Sequence, residues 1–301
     1  MQRVEADAIK SQSEFLRRLF ERELKSEGKS ETTINRYGLS IREWLQFSEA
    51  MNFPPMVTRE HVAEFLAHRQ GKVAANTVRN DYMALRRWFR YLRELGEIRE
   101  DPMVHLKQPK VTEKLPNPYT DDELRRMLKV CQGQNLESLR NTAILWVLFD
   151  TGLRASEMCG LTVGDVDLNA ERILIRGKGR RERLVRLGTR AQRAVYKYLR
   201  ARRSARPELW LGRGDRPLTR SGLFELVERV CAKANVTHPG VHRFRHTAAT
   251  RMADLGMPET ELRLLFGWTS PMMAARYTHS TARDRALRAH RQYSPADNLA
   301  L

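Results

Sequence analysis

Thr-Gly-Leu-Arg-Ala-Ser-Glu (151–157) ends one helix and begins another around an arginine and a glutamate three residues apart. Upstream, residues 140–150 include the apolar run Ala143–Phe149, which reads as a buried helix stopped by Gly152. Farther upstream, Thr120-Asp121-Asp122-Glu123 has the pattern of a capping box, with a glutamate at the third helical position. Downstream the period changes. Ile173, Leu174 and Ile175 precede Gly177-Lys178-Gly179, and Leu184, Val185 and Leu187 follow, which predicts a β-hairpin over residues 172–187 with a basic turn. Helical spacing returns over residues 191–204, 221–234, 240–255 and 259–266, with a last pair at 272–278 and 282–292.

The first third of the chain reads differently. Helices are predicted over residues 13–26 (Phe15, Leu16, Leu19 and Leu24 on one face), 32–50, 61–68 and 76–95, punctuated by Gly28, Gly71 and Gly96, with no strand-like alternation. The last of them carries Val78, Tyr82, Leu85, Phe89 and Leu92 at steps of three and four. Away from that stripe it carries Arg79, Arg86, Arg87, Arg90 and Arg93, with Asp81 and Glu94 as the only acids. Between the two parts, residues 109–118 hold three prolines and read as an extended linker. The expectation is a mainly α chain with a small β-sheet: an all-α domain over 1–108, a linker over 109–118, and an α+β domain over 119–301.

The formal charge of the 301 residues is +18, spread along the chain rather than confined to a tail. That balance points to a polyanion, nucleic acid first, and the arginine face at 79–90 is the candidate for backbone phosphates. The longest apolar run has seven residues against about 20 for a membrane span, and no signal-peptide core opens the sequence. Cys131, Cys159 and Cys231 form no metal-type pair, so a cytoplasmic protein with reduced thiols is expected.

Taken singly, the polar residues of the second part are ordinary. Arg154 and Glu157 read as a surface pair, Lys178 as a turn residue, Trp268 and Tyr277 as packing. His242, Arg245 and His246 open a helix at spacings of three and four, near an N-terminus that favours anions. The His242–His246 spacing would suit a metal pair, but no Cys, Asp or Glu stands at ligand spacing, and no metal is expected. Together, two arginines, a lysine, a histidine, an indole and a phenol suit a phosphodiester in a charged transition state, with the phenol as nucleophile.

In this order the segments Thr-Gly-Leu-Arg-Ala-Ser-Glu, the hairpin Lys178, His242-x-x-Arg245-His246-Thr, Gly267-Trp268 and Tyr277-Thr-His resemble the tyrosine recombinase family, the phage integrase and Xer-like enzymes. The resemblance spans residues of about 10 to 290. It implies a core-type DNA-binding domain before a catalytic domain with a C-terminal docking tail, in the two-domain form without an arm-binding module. It implies Arg154 and Arg245 as phosphate-binding arginines, Lys178 as general acid, Tyr277 as nucleophile, His242 and Trp268 as further donors, and Glu157 as their acidic support. Trp268 stands where most bacterial members have His, and Phe244 and Phe266 replace common leucines; these swaps keep the roles intact. The implied activity is site-specific DNA strand exchange through a 3′-phosphotyrosyl link, with no cofactor. The implied partners are double-stranded recombination sites and a homo-tetramer on paired DNA, with room for accessory DNA-bending proteins. Two other readings use the same residues: relaxation of DNA by a type IB topoisomerase-like enzyme, and a catalytically silent DNA-binding regulator.

Overall fold

The structure is a computed structural model that describes residues 2–53, 57–111, 117–177, 182–278, 286–287, 290 and 293–299, with side chains from residue 12 onward. It divides into two units, Met1–Lys114 and Leu115–Leu301. Part of the expected linker (112–116), the hairpin turn with Lys178 (178–181) and most of the expected last helix lie outside the described residues.

In the first unit four helices form because each pairs a punctuated end with an apolar face: α1 (Gln2–Ser26), α2 (Glu31–Ala50), α3 (Arg59–Arg69) and α4 (Ala75–Glu94). Ser30 caps α2 by accepting the amide of Thr33. The buried face of α4 is the one its spacing predicts, with Val78, Tyr82, Leu85, Phe89 and Leu92 in the core. Aromatic rings fill the space between helices. Trp44 meets Phe65 and Phe89 edge-on at 5.5 and 5.7 Å, and Phe20 meets Trp88 at 5.4 Å. Two expectations are corrected. Phe15 is 60% exposed, and Phe20 takes the core position instead. Asp81 does not offset the arginine face. It is buried, accepting from the Ser40 hydroxyl at 2.7 Å and from Arg69 Nε at 3.0 Å, and Arg69 reaches on to Glu43. A charge that leaves water must be paired, so this carboxylate ties α2, α3 and α4 together.

The second unit adds α5 (Asp121–Val130), α6 (Leu136–Thr151), α7 (Ala155–Cys159), a sheet of β1 (Val166–Asp167), β2 (Arg172–Arg176) and β3 (Glu182–Arg186), then α8 (Thr189–Ala201), α9 (Arg220–Lys233), α10 (Val241–Asp254), α11 (Glu259–Phe266) and α12 (Pro271–Thr278). The sheet is antiparallel in the order β1-β2-β3, with Ile173 opposite Val185 and Leu174 opposite Leu184. Ile173, Ile175, Val185 and Leu187 turn inward, while Leu184 is 53% exposed on the other face. The capping box at Thr120 forms as its sequence requires: Glu123 N–H donates to Thr120 Oγ1, and Thr120 N–H to Glu123. The core lies around α6, whose Ala143, Ile144, Val147 and Leu148 are fully buried. A smaller cluster joins Ala248, Ala249, Leu262, Phe266, Trp268, Ala274 and Tyr277 across α10, α11 and α12.

Candidate active site

The site starts at a glycine. Gly152 ends α6 in the left-handed region (φ 59°), and a Cβ there would stand 2.6 Å from the Phe266 ring and 3.2 Å from Ala248. Only a residue without a side chain lets the chain turn there while α10 and the end of α11 press against it. Two residues later Arg154 begins α7. Its amide donates to Glu157 Oε2 and its guanidinium to Glu157 Oε1, both at 2.9 Å. Glu157 is buried, and a second guanidinium holds it: Arg183 of β3 donates from Nη1 and Nη2 at 2.9 and 2.8 Å. Arg183 also donates Nε to the Leu265 carbonyl at 2.8 Å. One strand residue thus ties the hairpin, α7 and the end of α11. Gly267 admits it, since a Cβ at that position would lie 3.3 Å from Arg183 Nη1.

Opposite stands α10. His242, Arg245 and His246 project from one side at steps of three and four. Arg245 is buried beneath the site, donating to the Gly152 carbonyl at 2.9 Å and the Phe266 carbonyl at 2.6 Å. Its guanidinium lies 4.9 Å from the Phe266 ring and 5.3 Å from the Trp268 ring. Trp268 follows the left-handed Gly267 and stacks on Phe266 (4.7 Å, 19°) and on Tyr277 (5.2 Å, 5°). The Tyr277 phenol is buried, with its oxygen 2.5 Å from His246 Nδ1. His246 in turn meets His242 edge-on at 4.9 Å. Arg243, facing away from these groups, anchors the unit. It donates to the carbonyls of Asn117, Pro118 and Thr237 and to Glu123, and lies 4.0 Å over the Tyr119 ring.

The charge of this cavity is unbalanced. Burial resists ionisation of Glu157, but the Arg183 fork, the Arg154 amide and both guanidinium charges outweigh it and hold its pKa at about 2. One carboxylate therefore faces Arg154, Arg183 and Arg245. Burial, then the Arg154 charge, lower Arg245 to about 9 against the pull of Glu157. Partial burial, then Arg245 and Arg154, lower His242. Burial, His242, Arg245 and Arg276 lower His246 to about 4, so its imidazole is neutral at pH 7. Burial raises Tyr277 to about 12 against the pull of Arg245 and Arg276, so the phenol keeps its proton. In the tautomer protonated at Nε2, the Tyr277 hydroxyl donates to the Nδ1 lone pair of His246. Such a site offers donors to an anion and a protonated oxygen nucleophile beside it.

Both units are matched in known protein families. The profile described as "Phage integrase family" matches residues 119–284, more than half of the chain, and "Phage integrase, N-terminal SAM-like domain" matches residues 16–96. The chain belongs to the phage integrase family. Among its curated relatives is "Tyrosine recombinase XerD" of Halalkalibacterium halodurans, 30% identical over 87% of this chain and 92% of the relative. "Tyrosine recombinase XerC" of Pelobacter propionicus is 31% identical over 82% and 84%. Among solved structures, the XerH recombinase bound to palindromic difH substrate aligns with a TM-score of 0.73 over 91% of this chain and 82% of that one, at 23% identity. A lambda integrase dimer on a COC′ core site aligns at 0.71 over 86% and 96%, at 16% identity. This integrase-family chain is a tyrosine recombinase of the Xer type.

Of the residues expected from sequence, this recombinase brings together Arg154, Glu157, His242, Arg245, Trp268 and Tyr277 in its second unit; Lys178 lies outside the described residues. Arg86 and Arg90 of α4 are exposed in the first unit, whereas Arg87 is engaged by Glu23 of α1 and by Glu27 just beyond its end. Two residues of the site escape sequence reasoning. Arg183 has no local signal beyond being one basic residue among 54. His246 enters the sequence reading as part of the His242-x-x-Arg245-His246 motif and at a metal-type spacing to His242, with no role of its own; its partner is Tyr277, 31 positions away. No group of three or more His, Cys, Asp or Glu among the described residues is placed to hold a metal ion.

Proposed function

We propose that the chain cuts and rejoins specific double-stranded DNA sites by transesterification at Tyr277. The observation that carries the reading is the phenol of Tyr277, stacked on the same Trp268 ring that the buried Arg245 guanidinium lies over. In the cleavage step the Tyr277 oxygen bonds to phosphorus and the bond to the 5′ oxygen breaks, leaving a 3′-phosphotyrosyl link. Arg154 and Arg245 bind the non-bridging oxygens, and His242 and Trp268 donate to them as charge builds. Glu157 aims Arg154. Lys178 protonates the departing 5′ oxygen. The covalent link conserves the bond, so a second 5′-hydroxyl reverses the step without ATP.

Residues 1–108 contact the recombination site and residues 119–301 carry the chemistry. Four protomers on two duplexes exchange strands in two rounds through a four-way junction, in the cytoplasm, with accessory DNA-bending proteins setting the choice of site. No helix among the described residues is long and apolar enough to cross a membrane. Supercoiled DNA with and without paired sites separates exchange from relaxation. Tyr277→Phe is expected to bind DNA as the wild type does and to form no covalent adduct on a denaturing gel. An adduct that survives this change removes Tyr277 from the role.

A further inference from the structure

The reaction leaves one atom without a destination. Tyr277 must shed its phenolic proton as its oxygen bonds to phosphorus. The guanidinium groups of Arg154, Arg183 and Arg245 offer only donors, as does the Trp268 indole. The acceptor placed at the phenol is Nδ1 of His246, 2.5 Å from Oη. His246 is 7% exposed and follows Arg245 directly on α10. The helix that brings a cation to the phosphate therefore also brings an acceptor to the nucleophile.

We infer that His246 takes the proton of Tyr277 during strand cleavage and returns it during rejoining. The inference rests on Tyr277 as nucleophile. In the forward step the O–H bond of Tyr277 breaks and its proton moves to Nδ1, the Oη–P bond forms, the bond from P to the 5′ oxygen breaks, and that oxygen takes a proton from Lys178. In the reverse step the 5′-hydroxyl returns a proton to Lys178 as it attacks, and Oη departs with the proton of the His246 imidazolium. The groups facing His246 are His242 and Arg245 from its own helix and Arg276 and Tyr277 from α12. Without DNA, burial and then the charges of His242, Arg245 and Arg276 disfavour the imidazolium, which keeps the imidazole neutral. A bound phosphate offsets their charge and makes the Nδ1 lone pair more basic at the moment it is needed.

The test uses the full chain and a duplex selected from a randomised pool by binding to Tyr277→Phe, with covalent adduct formation followed in a single turnover. His246→Gln is expected to slow adduct formation by about 10²–10³-fold while leaving affinity for the duplex unchanged. The acid-side fall in the wild-type rate is expected to vanish in the variant. Added imidazole should restore part of the rate to His246→Gly. A sulfur in place of the bridging 5′ oxygen, which relieves the need for an acid, should restore none to His246→Gln. A variant within about threefold of wild type, a defect cured by the sulfur, or a faster enzyme overturns the inference; the last would make the contact a latch that holds the phenol back. A wild-type chain that forms no adduct overturns the nucleophile as well, whereas a wild-type adduct with an unimpaired variant overturns His246 alone. If the variants do not fold, nitrogen-15 histidine spectra of the wild type decide: an unprotonated Nδ1 on His246 at pH 7 is expected, and a protonated one sinks the proposal.

Discussion

Glu157 shows how far one buried carboxylate organises the chemistry. It accepts from two guanidinium groups and an amide, and its pKa is held near 2 against an ordinary 4.5. The folded value lies below the unfolded one. Its contribution to stability is therefore fully present above about pH 4.5 and is lost as the pH falls toward 2. Glu157→Gln is expected to cost roughly 3 kcal/mol at pH 7, because it leaves two cations without their shared anion. Urea unfolding of the two proteins should give midpoints that converge as the pH is lowered across that window; a gap that stays constant would mean the carboxylate's charge is not what holds the arginines. At this scale the sequence is partly legible. Arg154 and Glu157 can be paired from their spacing, since a helix start three residues long brings them together. Arg183 cannot, because its partner comes from another element and pairing between elements leaves no period in the chain. His246 carries a true spacing to His242, but the bond that matters crosses to α12.

Among the elements, the helices announce themselves through apolar periodicity, and their caps mark the ends; α5 begins at the capping box that Thr120 and Glu123 spell out. What escapes are elements with too few side chains to show a period. α1 starts at Gln2, well before its first regular apolar step, and β1 is only two residues long. Gly152 is the element-scale feature most exposed to mutation. Alanine there adopts a left-handed backbone at about 1–2 kcal/mol and drives its methyl into Phe266, at about 1–3 kcal/mol more. Gly152→Ala is expected to lose about 2–5 kcal/mol in urea unfolding. It should also lose strand cleavage before it loses the fold, because α6, α7 and the Arg245 anchor all meet at that carbonyl. A variant that keeps wild-type stability would show that α11 can draw back from the turn.

For the molecule as a whole, the charge of +18 sets how it meets DNA. Binding is expected to fall steeply with salt, and the α4 arginines divide by their surroundings. Removing Arg86 and Arg90 together should reduce the slope of log affinity against log salt by about 2, near 0.9 for each phosphate left without its cation. Arg87→Ala should change that slope little and instead loosen α1 from α4, since Glu27 and Glu23 already hold its guanidinium. An equal fall in slope from either change would place all three on the duplex. At the other end of the chain Leu287, Tyr293 and Leu299 present large apolar surfaces to solvent, consistent with a tail that seats on a neighbouring protomer. Deleting residues 281–301 is expected to weaken assembly on paired sites in native gels while leaving single-site binding nearly intact; unchanged assembly would refute the docking. Arg243 has the widest reach. It grips the backbone at Asn117 and Pro118, where the second unit begins, and it sits between His242 and Phe244 on the helix that bears the site's histidines. A tug on the peptide at that point is borne by a side chain one residue from His242. The helix that bears the site's histidines is also what fastens the first turn of the second unit, so a shift of that backbone is passed through one side chain to the position beside His242.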